Sequence, residues 1–175
     1  MLDPTELLRL AQNLCLHPSR TRRIFSSSAL TEAELRRAVS TAYYALFHTV
    51  LKTAADRLVG DTQQATGAYS LVYRGFDHLH IKKGCEELRK PNLSGSVQKA
   101  LKRSTVSSDT REFATAFIDL QVNRHLADYD PTEPFTQIDV QSQVDAAENA
   151  MLKFVSIAVG EQLDILSFLL VKTRS

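Results

Sequence analysis

Thr31-Glu32-Ala33-Glu34-Leu35-Arg36-Arg37-Ala38-Val39-Ser40-Thr41-Ala42-Tyr43-Tyr44-Ala45-Leu46-Phe47-His48-Thr49-Val50-Leu51-Lys52-Thr53-Ala54-Ala55-Asp56-Arg57-Leu58 is the stretch on which the fold turns. Apolar residues recur in it at Leu35, Ala38, Val39, Ala42, Tyr43, Leu46, Phe47, Val50, Leu51, Ala54 and Leu58. Steps of three and four keep them on one side of a helix, a stripe that only a packed core can cover. Thr31 stands where an N-cap accepts an orphan amide, and Glu34 three residues on completes a capping box. The spacing therefore predicts a long amphipathic helix from Thr31.

The flanking sequence repeats the same grammar. Asp3 as N-cap, Pro4 at the first helical position and Glu6 as box partner predict a first helix ending near Leu16. His17-Pro18-Ser19 and Ser26-Ser27-Ser28 bracket a loop carrying Arg20, Arg22 and Arg23. Asp61 or Thr62 opens a third helix running toward Lys90, where Pro91 stops it. Residues Asn92 to Ser107 read as loop with room for one short helix. Asp109 with Glu112 caps a fourth helix through Phe113, Ala116, Phe117 and Leu120, closed by Pro131 and Pro134. A fifth helix follows from about Gln137 to Lys172, with Gly160 as the place for a bend. No stretch alternates with the period of a strand. The expected fold is all-α, an antiparallel bundle of four long helices plus a short N-terminal helix, in a single domain.

Composition narrows the functional classes. A chain of 175 residues with 43% hydrophobic content can build one real core. A net charge of +1 does not mark a nucleic-acid or membrane-surface binder. Locally the charge is uneven. Lys82, Lys83, Arg89, Lys90, Lys99, Lys102 and Arg103 face only Glu86 and Glu87, whereas eight acids between Glu112 and Glu148 face Arg124 alone. Cys15 and Cys85 are too few for a disulfide framework and lack zinc-site spacing. With no signal-like N-terminus and no apolar run of membrane-spanning length, a reducing cytoplasm is the expected location and a membrane partner is not expected. Gly-rich phosphate loops and nucleophile elbows are missing, so neither a metal nor a cofactor is expected.

Two clusters carry chemistry. In the fourth helix the stripe Phe113, Phe117, Leu120 continues through Arg124 and Asp128, charged residues where the period calls for core. They are either a buried i, i+4 pair closing the bundle end, or part of a polar site with His125 and Tyr129. In the second helix Arg37, Thr41, Tyr44 and His48 share a face. A guanidinium, a phenol and an imidazole in line suit phosphate binding and proton movement, and suit equally a half-buried face paired with neighbouring acids. Within Arg74-Gly75-Phe76-Asp77-His78-Leu79-His80 the two histidines point different ways on a helix and read as core or surface residues. Lys82, Lys83, Lys99, Lys102 and Arg103 form a basic segment able to track an RNA backbone, or a solvated face. The final helix, with Leu163, Ile165, Leu166, Phe168, Leu169, Leu170 and Val171, serves either as a dimer face or to complete the core.

Leu35-Arg36-Arg37-Ala38-Val39-Ser40-Thr41-Ala42-Tyr43-Tyr44-Ala45-Leu46-Phe47-His48 resembles the second-helix signature of HEPN (higher eukaryotes and prokaryotes nucleotide-binding) domains. Arg124-His125-Leu126-Ala127-Asp128-Tyr129-Asp130 resembles the Arg and Ala-Asp-Tyr segment of one bacterial and archaeal branch of that family. The resemblance implies a helical homodimer of a toxin-antitoxin or phage-defence system, with RNA as target and a nucleotidyltransferase antitoxin or another protein as partner. It implies a metal-independent endoribonuclease using Arg124 and His125, supported by Arg37, Tyr44, His48, Asp128 and Tyr129, or a non-catalytic nucleotide- or protein-binding module. The family's catalytic histidine, counted from Arg124, falls on or near Asp128 and Tyr129. Tyr129 matches the tyrosine that some antitoxins of this kind modify with AMP.

Overall fold

The structure is a computed structural model that describes residues 2–16 and 31–171; the loop expected to carry Arg20, Arg22 and Arg23, and the expected helix end at Lys172, lie outside the described residues. All regular elements among them are helical: α1 (Pro4–Leu16), α2 (Glu32–Leu58), a 3₁₀ turn (Asp61–Gln63), α3 (Gly67–Arg74), α4 (His78–Leu88), α5 (Gly95–Leu101), α6 (Ser108–Tyr129), α7 (Gln137–Ser156) and α8 (Val159–Leu170). None is long and apolar enough to cross a membrane.

The capping box that opens α2 is present in both directions: Glu34 N donates to Thr31 Oγ1 at 3.3 Å, and Thr31 N donates to Glu34 Oε2 at 3.0 Å. Beyond it the helix is buried on more than its apolar stripe, because α1, α3, α6 and α7 all pack on it. Ser40, Thr41 and Thr49 are buried too, and the two threonine hydroxyls donate back to Arg37 O at 2.7 Å and Ala45 O at 2.9 Å, so burial leaves neither unpaired. The start of α2 meets the end of α6, where Arg36 reaches the Ala127 carbonyl, so the two run in opposite directions. Phe113 of α6 packs on Phe154 of α7 with centroids 4.4 Å apart, reversing direction again. Tyr43, Leu46, Phe113, Phe117, Phe154, Ile81, Leu88, Ile165 and Leu169 are fully buried at the centre. Each such side chain removed from water contributes about 1.5–3 kcal/mol.

The expected third helix is interrupted. Gly60 adopts φ 119°, the left-handed side where only glycine is unstrained, and Thr66 and Asp77 each start a new helix by accepting from Tyr69 N and His80 N. The expected fifth helix breaks at Ile157 and Ala158, both with extended ψ, rather than at Gly160. Gln162 holds the fold-back. Fully buried, it donates through Nε2 to Phe154 O at 2.7 Å and accepts from Arg57 Nε at 2.9 Å. The α6 cap is Ser107, whose hydroxyl accepts from Thr110 N, and Asp109 instead pairs with Lys153 at 2.8 Å. Glu161 seals that cap by accepting from Ser107 N at 2.8 Å and Thr110 Oγ1 at 2.5 Å. Burial pushes its carboxyl up, but those hydrogen bonds and Arg103 outweigh it and hold the group below its ordinary value. At the first helix Asp3 caps the Thr5 amide at 2.9 Å. The apolar side of α8, Ile165, Leu166 and Leu169, turns into the core. A Cβ on Gly84 would overlap Leu169 Cδ2, so this glycine is what lets α8 lie against α4.

Candidate functional site

Where α1, α2 and α6 meet there is a groove of about 560 Å³. Leu2, Leu7 and Leu10 form its apolar lip, Arg37, Thr41, Tyr44 and His48 one wall, and Ala127 with Asp128 the other. The four α2 residues thus share a face. Arg37 is exposed at its rim, Thr41 buried at its floor, and Tyr44 and His48 are half-buried between.

Arg124 turns inward to this wall. Its Nη2 donates to Tyr44 Oη at 2.6 Å, and its Cζ lies 5.3 Å from the Tyr44 ring centroid and 5.6 Å from that of Tyr129. Nε is 2.8 Å from Asp128 Oδ2, with side-chain exposures of 19% and 28%. The pair is therefore half-buried rather than buried, and the Nε hydrogen is not aligned for a hydrogen bond to the carboxylate. Asp128 is held from the other side by the Ser40 hydroxyl. Burial opposes the charge on Arg124, but the hydrogen bond to Tyr44 and the charge of Asp128 outweigh it, so the guanidinium stays cationic.

Two imidazoles border Tyr44. His48 Nδ1 shares a hydrogen bond of 2.7 Å with Tyr73 Oη of α3, and His78 Nδ1 shares one of 2.7 Å with Tyr43 Oη. His78 stacks on Phe47 at 3.9 Å and meets the Tyr44 ring edge-on at 5.9 Å. Burial lowers the basicity of His48. Burial, then Arg124, then His48 lower that of His78. Both rings are thereby held neutral at physiological pH.

His125, one residue beyond Arg124, is exposed and packs on the Tyr129 ring at 4.9 Å, outside the groove. Tyr129 is 65% exposed. Along the basic segment Lys82 is half-buried on α4, while Lys83 on α4, Lys99 on α5 and Lys102 at its left-handed C-cap are exposed. Arg103 departs from them: it is ion-paired with Glu161 at 3.3 Å and with Asp164, tying the loop before α6 to α8. Among the described residues no group of His, Cys, Asp and Glu side chains is placed to hold a metal.

Three features escape the sequence pattern. Arg36 donates to the carbonyls of Leu126, Ala127, Asp130 and Glu133 and pairs with Glu32 at 2.8 Å, so it caps the C-terminus of α6. Tyr43, counted in the apolar stripe, brings a buried hydroxyl that needs a partner, and that need is the only sequence signal for His78. A second groove of about 710 Å³ between α4, α6 and α7 carries Arg89, Arg111, Glu112 and Asp119. It is larger, but none of Arg37, Tyr44, His48 and Asp128, which line the first groove, lines it. Comparison of the chain with family models, curated proteins and solved structures finds no match.

Proposed function

We propose that the chain is a HEPN-like binding module of a toxin-antitoxin or phage-defence type system, taking a phosphate-bearing nucleotide or RNA at the Arg124, Tyr44 and His48 wall. The carrying observation is that Arg124, although half-buried, spends its inward N–H on a neutral phenol and its charge on a carboxylate already shared with Ser40. Guanidinium donors remain for an oxyanion, and Arg37 stands at the rim to meet a second phosphate. Leu7 and Leu10 supply an apolar surface for a base. Lys82, Lys83, Lys99 and Lys102 extend a cationic face for an RNA backbone. In this reading the helices form an antiparallel bundle, the chain works as a cytoplasmic homodimer, and the partner is a nucleotidyltransferase antitoxin or another protein.

Fluorescence-anisotropy binding of a short single-stranded RNA, with adenosine monophosphate as competitor, tests the reading. Arg124→Met is expected to weaken both by about tenfold, the scale of one charge-assisted contact. Equal binding by wild type and variant overturns it. Light scattering that returns the mass of one chain at micromolar concentration removes the dimer.

A second reading, metal-independent endoribonuclease, is favoured by one observation: Arg124 and His125 both contact the exposed Tyr129 ring, so a phosphodiester there would meet a guanidinium and an imidazole together. The imidazole would take the ribose 2′-hydroxyl proton as that oxygen attacks the adjacent phosphorus, with Arg124 stabilising the added negative charge and the departing 5′-oxygen taking up a proton. RNA cutting in excess chelator that His125→Ala abolishes would establish it; equal cutting by both proteins dismisses it.

A further inference from the structure

Tyr43 is wholly buried, and its hydroxyl has one partner among the described residues, His78 Nδ1. A phenol can accept from an N–H, but its own hydrogen must then find another acceptor. No other acceptor among the described residues is within hydrogen-bond distance, which makes the Tyr43 O–H the donor and His78 Nδ1 the acceptor. A neutral imidazole that accepts at Nδ1 carries its proton at Nε2. The two ring nitrogens point in widely different directions, so with Nδ1 turned to the core Nε2 turns outward. That atom has no partner among the described residues and is not enclosed. Arg124 is close enough to act on the ring, and Tyr44, whose hydroxyl already accepts from Arg124, stands edge-on to it.

We propose that His78, which does not line the groove but stands edge-on to the lining residue Tyr44, is held by Tyr43 as a neutral N–H donor that reads an oxyanion beside Arg124. The inference rests on the phosphate-binding reading and adds to it a third element, α4, and a stated polarity. His78 Nε2–H, the Tyr44 O–H and the spare Arg124 hydrogens are three donors that suit a ligand rich in acceptors, phosphate above all, with Asp128 across the groove as the one carboxylate opposing it. Tyr43 is a positioning residue here: it touches no ligand and acts through the ring it orients. Protonating His78 would force Nδ1–H against the Tyr43 hydroxyl and leave that buried hydrogen without an acceptor. The ring therefore stays a donor without becoming a cation. The groups facing it are Tyr43, Tyr44, Phe47 and His48 from α2, Asp77 from its own helix start and Arg124 from α6.

Long-range ¹H–¹⁵N correlation spectra of the ¹⁵N-labelled full chain read the tautomer directly, with His78→Gln assigning the signals. The expected result is a single Nε2–H tautomer for His78 through neutral pH, with resonances that move on titration with adenosine monophosphate and with inorganic phosphate. His78→Gln, which keeps an N–H donor, should bind the nucleotide near the wild-type level, whereas His78→Leu and Tyr43→Phe should each weaken it about fivefold. An Nδ1–H tautomer, or an imidazolium at neutral pH, overturns the inference whatever binds. So does an Nε2–H signal unmoved by a nucleotide whose binding still depends on Arg124, and that outcome leaves the phosphate reading standing. Nucleotide that does not bind at all removes both. Should Tyr43→Phe fail to fold, the wild-type spectrum decides alone.

Discussion

Two arginines cross the same α2–α6 interface about two turns apart and are almost equally covered, with side-chain exposures of 17% for Arg36 and 19% for Arg124. Burial does not separate them; acceptor supply does. Arg36 faces the open C-terminal turn of α6, where the Leu126 carbonyl takes only the capping Asp130 amide and the Ala127 carbonyl is left by Pro131, which has no N–H; it bonds to both and to Asp130 O, and it also reaches Glu133 O, Glu32 and the Phe135 ring at 5.2 Å. Nε–H, both Nη1 hydrogens and one Nη2 hydrogen are thereby engaged. Arg124 faces the side of helices whose backbone is already bonded, so only a phenol and a carboxylate are offered to it. A guanidinium at a helix end becomes a staple, and one at a helix flank keeps donors for a ligand.

The comparison predicts that the staple costs stability and the flank costs binding. Arg36→Met removes the donor from several half-buried carbonyls at once and should lower the free energy of unfolding by about 3 kcal/mol, read from urea denaturation. Arg124→Met should lower it by no more than about 1.5 kcal/mol, since the Arg124–Asp128 pair is part-exposed and screened. A larger loss for Arg124 than for Arg36 would break the contrast.

Acidification should separate the two ends next. Histidines whose folded basicity lies below the unfolded reference of 6.5, as for His48 and His78, bind more protons when unfolded. Their contribution is complete above that reference and drains away as pH falls through it toward the lowered folded values. The melting temperature should therefore drop between about pH 7 and about pH 5.5. His78→Gln should flatten the slope. A slope of equal size in a His48→Gln, His78→Gln double variant would place its origin elsewhere.

The same division between local and distant causes decides what the sequence could reveal. Helix α2 was legible because its cap and its stripe are local, and Arg37, Thr41, Tyr44 and His48 were legible as one face for the same reason. Arg124 showed itself as a charge on an apolar stripe. Arg36 could not, because its acceptors lie some 90 residues away and the Arg36-Arg37 doublet gives no hint which of the two is the staple. The expected third helix, framed by Asp61 or Thr62 and Pro91, is divided by two internal caps, Thr66 and Asp77. The fifth broke at Ile157 because Gln162 bonds to Phe154 O and Arg57, contacts that no local pattern announces. In the sequence His78 reads as a core or surface residue. Its side chain is half in the core, and its relevance comes from Tyr43, a residue that periodicity files under apolar.

Asp128 offers the finest test of what Arg124 is for. Read from sequence as a buried pair, the site should lose about 3 to 5 kcal/mol when one partner is stripped. The carboxylate is 28% exposed, and Ser40 holds one of its oxygens. Asp128→Asn keeps the shape and an acceptor for the serine while deleting the negative charge that competes for Arg124. Stability should then fall by less than about 1 kcal/mol. The groove meanwhile loses its one carboxylate facing the proposed oxyanion, so adenosine monophosphate should bind about threefold tighter, with a steeper salt dependence. If the pair existed only to close the bundle, the substitution would instead lower the melting temperature and leave nucleotide affinity where it was. Measured side by side in the same buffer, the two quantities should move in opposite directions, because the charge that steadies Arg124 is also the charge that repels its ligand.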